Sequence, residues 1–157
     1  MSTSYEFNTP SYSVARLSEY FGALLGLSKA EPPADSPLTG PAWWVALATT
    51  HASDAPTAAA RMGTGGAFAS VTFEPRKALS WEEETAGLSR IIRASVALLQ
   101  QAPNVAGYLE FYDDIVVLEK RAGGPLVVSP RLIDRGDLDD LGVFAPLLRG
   151  LTVAPIN

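Results

Sequence analysis

The sequence predicts an α+β domain in which an antiparallel sheet of about 4–6 strands is packed by two or three helices. Three observations point there. Apolar residues recur at helical spacing over 11–27 and again over 81–101. Strand candidates joined by short turns crowd into a meander near 105–129. The 157-residue chain is 47% hydrophobic and only 18% charged, a balance that builds a core and excludes a disordered chain. At that length folding buries roughly 68–70% of the unfolded surface, so one domain spanning 1–157 needs no covalent staples.

Residues 5–7 suit a short strand. In 11–27, Leu17, Tyr20, Phe21, Leu24 and Leu25 fall at spacings of three and four, Ser11 or Ser13 can cap the start, and Gly26 lies near the end. Residues 28–42 hold Pro32, Pro33, Pro37 and Pro41 with Gly40, a proline-rich loop or linker that is long for a compact domain. Helix 11–27 is too apolar to stand alone, which favours an ordered crossover over a detached arm. Trp43–Ala48 is a continuous apolar run, expected as a strand buried on both faces. Residues 50–57 are turn chemistry, and the alanine-rich stretch 57–61 defines no element. Gly63-Thr64-Gly65-Gly66 is expected as a turn or flexible loop. Residues 67–74 alternate, with Phe68, Ser70, Thr72 and Glu74 opposite Ala67, Ala69, Val71 and Phe73, as in a half-buried strand.

The strongest helix signal is 81–101. Ser80 and Glu83 form a capping box, and Glu82, Glu83 and Glu84 sit at the positive end of the dipole. Pro103 and Asn104 end it. Strands follow over 105–112, 115–120 and 125–129, with Asp113-Asp114 as a two-residue turn and Arg121–Gly124 as a second turn. A last helix is expected over 137–149, where Leu138, Leu141, Phe144, Leu147 and Leu148 form a stripe and Pro146 predicts a kink. Residues 151–154 are a closing strand or a tail.

Composition then eliminates chemistry. The absence of cysteine removes disulfides, thiolate zinc sites, iron–sulfur clusters and cysteine nucleophiles, and a single histidine removes sites needing two imidazoles. No metal or cofactor is expected. A net charge of −5 opposes nucleic acid and anionic membrane as partners. The first residues carry no basic region followed by an apolar stretch, and the longest apolar run is too short to span a bilayer, so a cytoplasmic protein is expected.

The remaining motifs are weak. The glycine turn 63–66 fits no phosphate-binding spacing, and Arg61 has Thr64 where an acetyl-coenzyme A loop needs glycine. His51, Ser53 and Asp54 are too close in sequence to converge as a triad. Asp137, Asp139, Asp140 and Gly142 lack the later ligands of a calcium loop. A carboxylate pair converging in space stays open. Trp43 and Trp44 are adjacent and point to opposite faces of a strand, so one can be core and the other a surface anchor. Tyr108 and Tyr112 share a face with Glu110.

These eliminations favour a non-catalytic protein-binding domain that captures a basic protein partner, of the kind by which bacterial immunity proteins neutralise toxins. Glu82, Glu83, Glu84, Asp113, Asp114, Asp137, Asp139 and Asp140 would supply negative potential, and Trp43 or Trp44 the anchor. The alternatives are a phage or injection-system assembly subunit, in which 11–42 docks on a neighbour, and a small ligand-binding domain with Arg61, Arg90 or Arg93 as anion anchors. The oligomeric state is left open.

Overall fold

The computed structural model describes residues 4–29 and 36–157; Pro32 and Pro33 of the proline-rich segment lie outside the described residues. The elements are β1 (Tyr5–Thr9), α1 (Val14–Leu25), β2 (Ser28–Lys29), β3 (Leu38–Thr39), β4 (Trp43–His51), α2 (Pro56–Met62), β5 (Ala67–Pro75), α3 (Trp81–Leu99), β6 (Gly107–Phe111), β7 (Ile115–Lys120), β8 (Val127–Val128) and β9 (Thr152–Val153). The strands form one sheet in the order β2-β3-β4-β5-β1-β6-β7-β8-β9. Every pairing is antiparallel except β8 with β9. The fold is α+β, as the sequence predicts; four of the nine strands have only two residues, which leaves five long ones.

The sheet is layered on one side. Tyr5 and Phe7 of β1, Val45 and Leu47 of β4, Val71 and Phe73 of β5, and Leu109 and Phe111 of β6 share the inner face and are buried. Leu17 and Phe21 of α1 and Leu88, Ile91, Ile92, Leu98 and Leu99 of α3 close over them in one core. Phe21 meets Phe73 edge-on at 4.9 Å. Each such side chain contributes about 1.5–3 kcal/mol by leaving water. Gly87 of α3 is dictated by its neighbour, because a Cβ there would lie 2.4 Å from the Trp43 indole nitrogen. The Tyr5 hydroxyl donates to the Glu84 carboxylate, tying the central strand to the start of α3. Lys120 is buried at the end of β7, where its ammonium donates to the carbonyls of Pro103 (2.8 Å) and Val105 (2.6 Å).

Caps set the helix ends. Ser13 caps α1, and Gly26 closes it in the left-handed region, φ 64°. The Ser80–Glu83 capping box opens α3 as expected. The alanine-rich stretch is helical after all. Pro56 starts α2, and Gly63 at φ 70° ends it, which gives the glycine turn a structural task.

Three expectations are corrected. No α-helix spans 137–149. Turns and a 3-10 turn at Ala145–Leu148 replace it, because the Asp139 carboxylate takes the N–H groups of Phe144 and Ala145, Gly142 is left-handed at φ 69°, and Pro146 lacks a donor. Strand β4 is not buried on both faces. Trp43, Val45 and Leu47 are buried, while Trp44 and Ala46 are half-buried and Ala48 is exposed. The hairpin after β6 has three linking residues, and the left-handed pair is Tyr112 (φ 58°) and Asp113 (φ 69°), not Asp113-Asp114.

Candidate functional site

The second face of the sheet is covered only at one end. There α2 lies on Phe68 and Tyr108, forming a small cluster with Ala59 and Met62. The neighbouring part of this face is a row of outward residues set by strand register: Ala46, Thr72, Glu6, Glu110 and Val116. All five are half-buried.

Glu6 and Glu110 stand directly opposite each other on β1 and β6. Such partners have Cβ atoms about 4.5–5.5 Å apart, and like charges in that relation repel. Burial first, and then the charges of Glu6, Asp113 and Asp114, push the Glu110 carboxyl up to about 7, while Arg61 of α2 pulls the other way. The same acidic surroundings, after burial, raise the Tyr108 hydroxyl, which stays protonated. Next along this face, Asn8 is buried and accepts from the Ser70 hydroxyl at 2.6 Å.

The acidic residues singled out in the sequence separate into two groups. Asp113 and Asp114 are exposed at the β6–β7 turn, close enough to act on Glu110; Asp113 also accepts from the Ser4 hydroxyl at 3.2 Å. Trp44 is half-buried on the same open face, opposite Glu74 of β5. Trp43 points the other way into the core, 3% exposed, and offers no surface for an anchor.

The second group surrounds the start of α3 on the helical side. Glu83 caps the helix, Glu84 accepts from Tyr5, and Glu82 is exposed. Asp140 accepts from the Trp81 indole N–H at 2.9 Å, and Asp137 pairs with Arg131 at 2.7 Å. Asp139 is 1% exposed and holds two backbone N–H groups, so no partner can reach it. Trp44 and the charges of Asp113 and Asp114 therefore bear on the open face, Glu82–Glu84 and Asp139 do not, and Asp114 also acts on Arg131, the partner of Asp137.

Tyr108 shares the Glu110 face as expected, Tyr112 turns instead against Tyr5 and Phe111, and the sequence reading missed Glu6 and its pairing with Glu110. Their signal was local: Tyr5-Glu6-Phe7 and Leu109-Glu110-Phe111 each set a carboxylate between apolar neighbours, which puts it on the outer face of a strand. Their pairing depends on strand order and could not be read from either segment alone.

Among the described residues no group of three His, Cys, Asp or Glu side chains is placed to hold a metal ion. His51 is exposed at the end of β4, and no hydrogen bond joins its ring to Ser53 or Asp54. No described helix is long and apolar enough to cross a membrane. No protein-family model matches the chain, no curated protein matches it, and no solved structure matches it.

Proposed function

We propose that this chain is a non-catalytic protein-binding domain of the bacterial immunity type, acting in the cytoplasm by direct capture of a toxin. The open sheet face receives a basic segment of the partner. One observation carries the reading: two half-buried glutamates oppose each other on the part of this face that α2 leaves open. A guanidinium or ammonium group laid between them relieves their repulsion, and Asp113 and Asp114 extend the negative potential that steers it in. Trp44 adds an aromatic contact on the same face.

The experiment starts with light scattering on the purified chain, followed by capture from a lysate of the source organism. The captured protein is purified, and its affinity is measured for the wild type and for Glu6→Gln/Glu110→Gln at two salt concentrations. A monomer whose basic partner binds at least about tenfold more weakly to the double variant, and more weakly in high salt, supports the reading. A ring or filament that captures nothing overturns it in favour of an assembly subunit.

A further inference from the structure

The carboxylate pair of the open face has no counter-charge of its own. Glu6 and Glu110 stand opposite each other, and among the described residues neither accepts a hydrogen bond or joins an ion pair. Asn8, buried next along β1, accepts from Ser70 through its amide oxygen. Its amide nitrogen has no partner, so it donates to neither glutamate.

The elements around Glu110 leave that charge in place. β1 sets Glu6 on one side of it, and β7 sets the neutral Val116 on the other. The β6–β7 turn adds the charges of Asp113 and Asp114. β5 brings Thr72 beside Glu6 and, two residues on, the exposed Glu74. Tyr108 of β6 and Glu119 of β7 form the next row. α2 supplies the guanidinium of Arg61, which is already paired with Glu119 at 3.2 Å and donates to the Asn157 oxygen. A half-buried carboxylate among like charges is relieved in two ways, by a proton or by a cation. In the free chain the proton is at hand near neutral pH, because burial and then Glu6, Asp113 and Asp114 push the Glu110 carboxyl up to about 7.

We propose that a proton and the partner's cationic group compete for the Glu6–Glu110 pair, so that this face captures a basic segment with release of a proton and lets it go in mild acid. The competition rests on the reading that the open face receives such a segment. Its size follows from linkage. A cation that binds only the ionised pair must displace the Glu110 proton, which is held below about pH 7. Affinity at pH 5.5 is then about 10- to 30-fold lower than at pH 8.

A blocked tri-arginine peptide is the probe, added to the whole chain at constant salt. The backbone amide signals of Glu6 and Glu110 report its binding at the pair, and the Glu110 carboxyl carbon reports the proton. Binding at those amides is expected at pH 8, with the lower affinity at pH 5.5. The Glu110 midpoint is expected to fall by about one pH unit when the peptide is present at about ten times its pH 8 Kd. Glu110→Gln loses no hydrogen bond and is expected to bind with the same low affinity at both pH values. The competition is overturned if the peptide binds at those amides equally well at pH 5.5 and pH 8, if the midpoint in the free chain lies at the ordinary 4.5, or if Glu110→Gln keeps the pH dependence. Each of these results leaves the docking of a basic segment standing. No binding at those amides at pH 8, with peptide in the millimolar range, overturns both the competition and the docking.

Discussion

Replacing Glu110 by glutamine should make the protein more stable above neutral pH and leave it unchanged in acid. The Glu110 carboxyl lies at about 7 in the folded chain against an ordinary 4.5. In that window the folded state keeps a proton that the unfolded state has released, so stability falls as pH rises from 4.5 through about 7. At 1.36 kcal/mol per pH unit, the full difference is about 3 kcal/mol. Glu110 is only half-buried. Solvent screening reduces the penalty to about 1–3 kcal/mol. Glutamine keeps the shape and carries no charge, so it removes first the cost of burying a carboxylate and then the repulsion with Glu6, Asp113 and Asp114. Urea unfolding of both proteins at pH 4 and pH 8 measures the effect. The expected result is superimposable curves at pH 4 and a higher midpoint for the variant at pH 8, with the same slope. A variant no more stable at pH 8, or one equally stabilised at both pH values, would refute the assignment of the cost to a crowded carboxylate.

Three further outcomes follow from the packing. Gly87→Ala forces a methyl group to within 2.6 Å of the Trp43 ring, so it should cost about 1–3 kcal/mol in urea unfolding; the loss should shrink when Trp43 is already alanine. Asp139→Ala strips the acceptor from the N–H groups of Phe144 and Ala145 and should cost about 2–4 kcal/mol by thermal unfolding, whereas a loss under about 1 kcal/mol would mean that the turn reorganises. Arg131→Ala breaks an ion pair whose side chains are 50% and 30% exposed, and should change stability by less than about 1 kcal/mol in the same assay.

The elements that were legible in the sequence are those with a strong local rule. Ser80 and Glu83 announced α3 through their reciprocal cap, and the alternation from Phe68 to Glu74 announced a strand with one wet face. The leucine stripe over 138–148 misled, because helical spacing also arises when a chain wraps in successive turns against a core. What decided that segment was the buried Asp139 side chain competing for backbone donors, with Gly142 and Pro146 breaking the path. The run from Trp43 to Ala48 suggested two covered faces, since alanine and tryptophan both count as apolar; only the position of α1 and α3 shows that one face is open. Glu6 and Glu110 were invisible as a pair, because they meet only through strand order, with the first strand at the centre of the sheet.

An open face on an antiparallel sheet is ordinary and by itself implies nothing about binding. The choice of residues there carries the argument. Thr72 beside Glu6 shows what a neutral occupant of this row looks like, and a threonine or lysine opposite Glu6 would avoid the repulsion. A second glutamate stands in that position, at a cost to the fold above neutral pH. Such costs concentrate where a surface is needed for something other than folding. The two experiments on Glu110 therefore separate. If glutamine both stabilises the chain at pH 8 and weakens capture of a basic partner, the charge is kept for binding. If it stabilises the chain and capture is unchanged, the electrostatic account of the fold stands and the partner docks elsewhere, with the exposed Glu82 in the first turn of α3 as the next position to substitute.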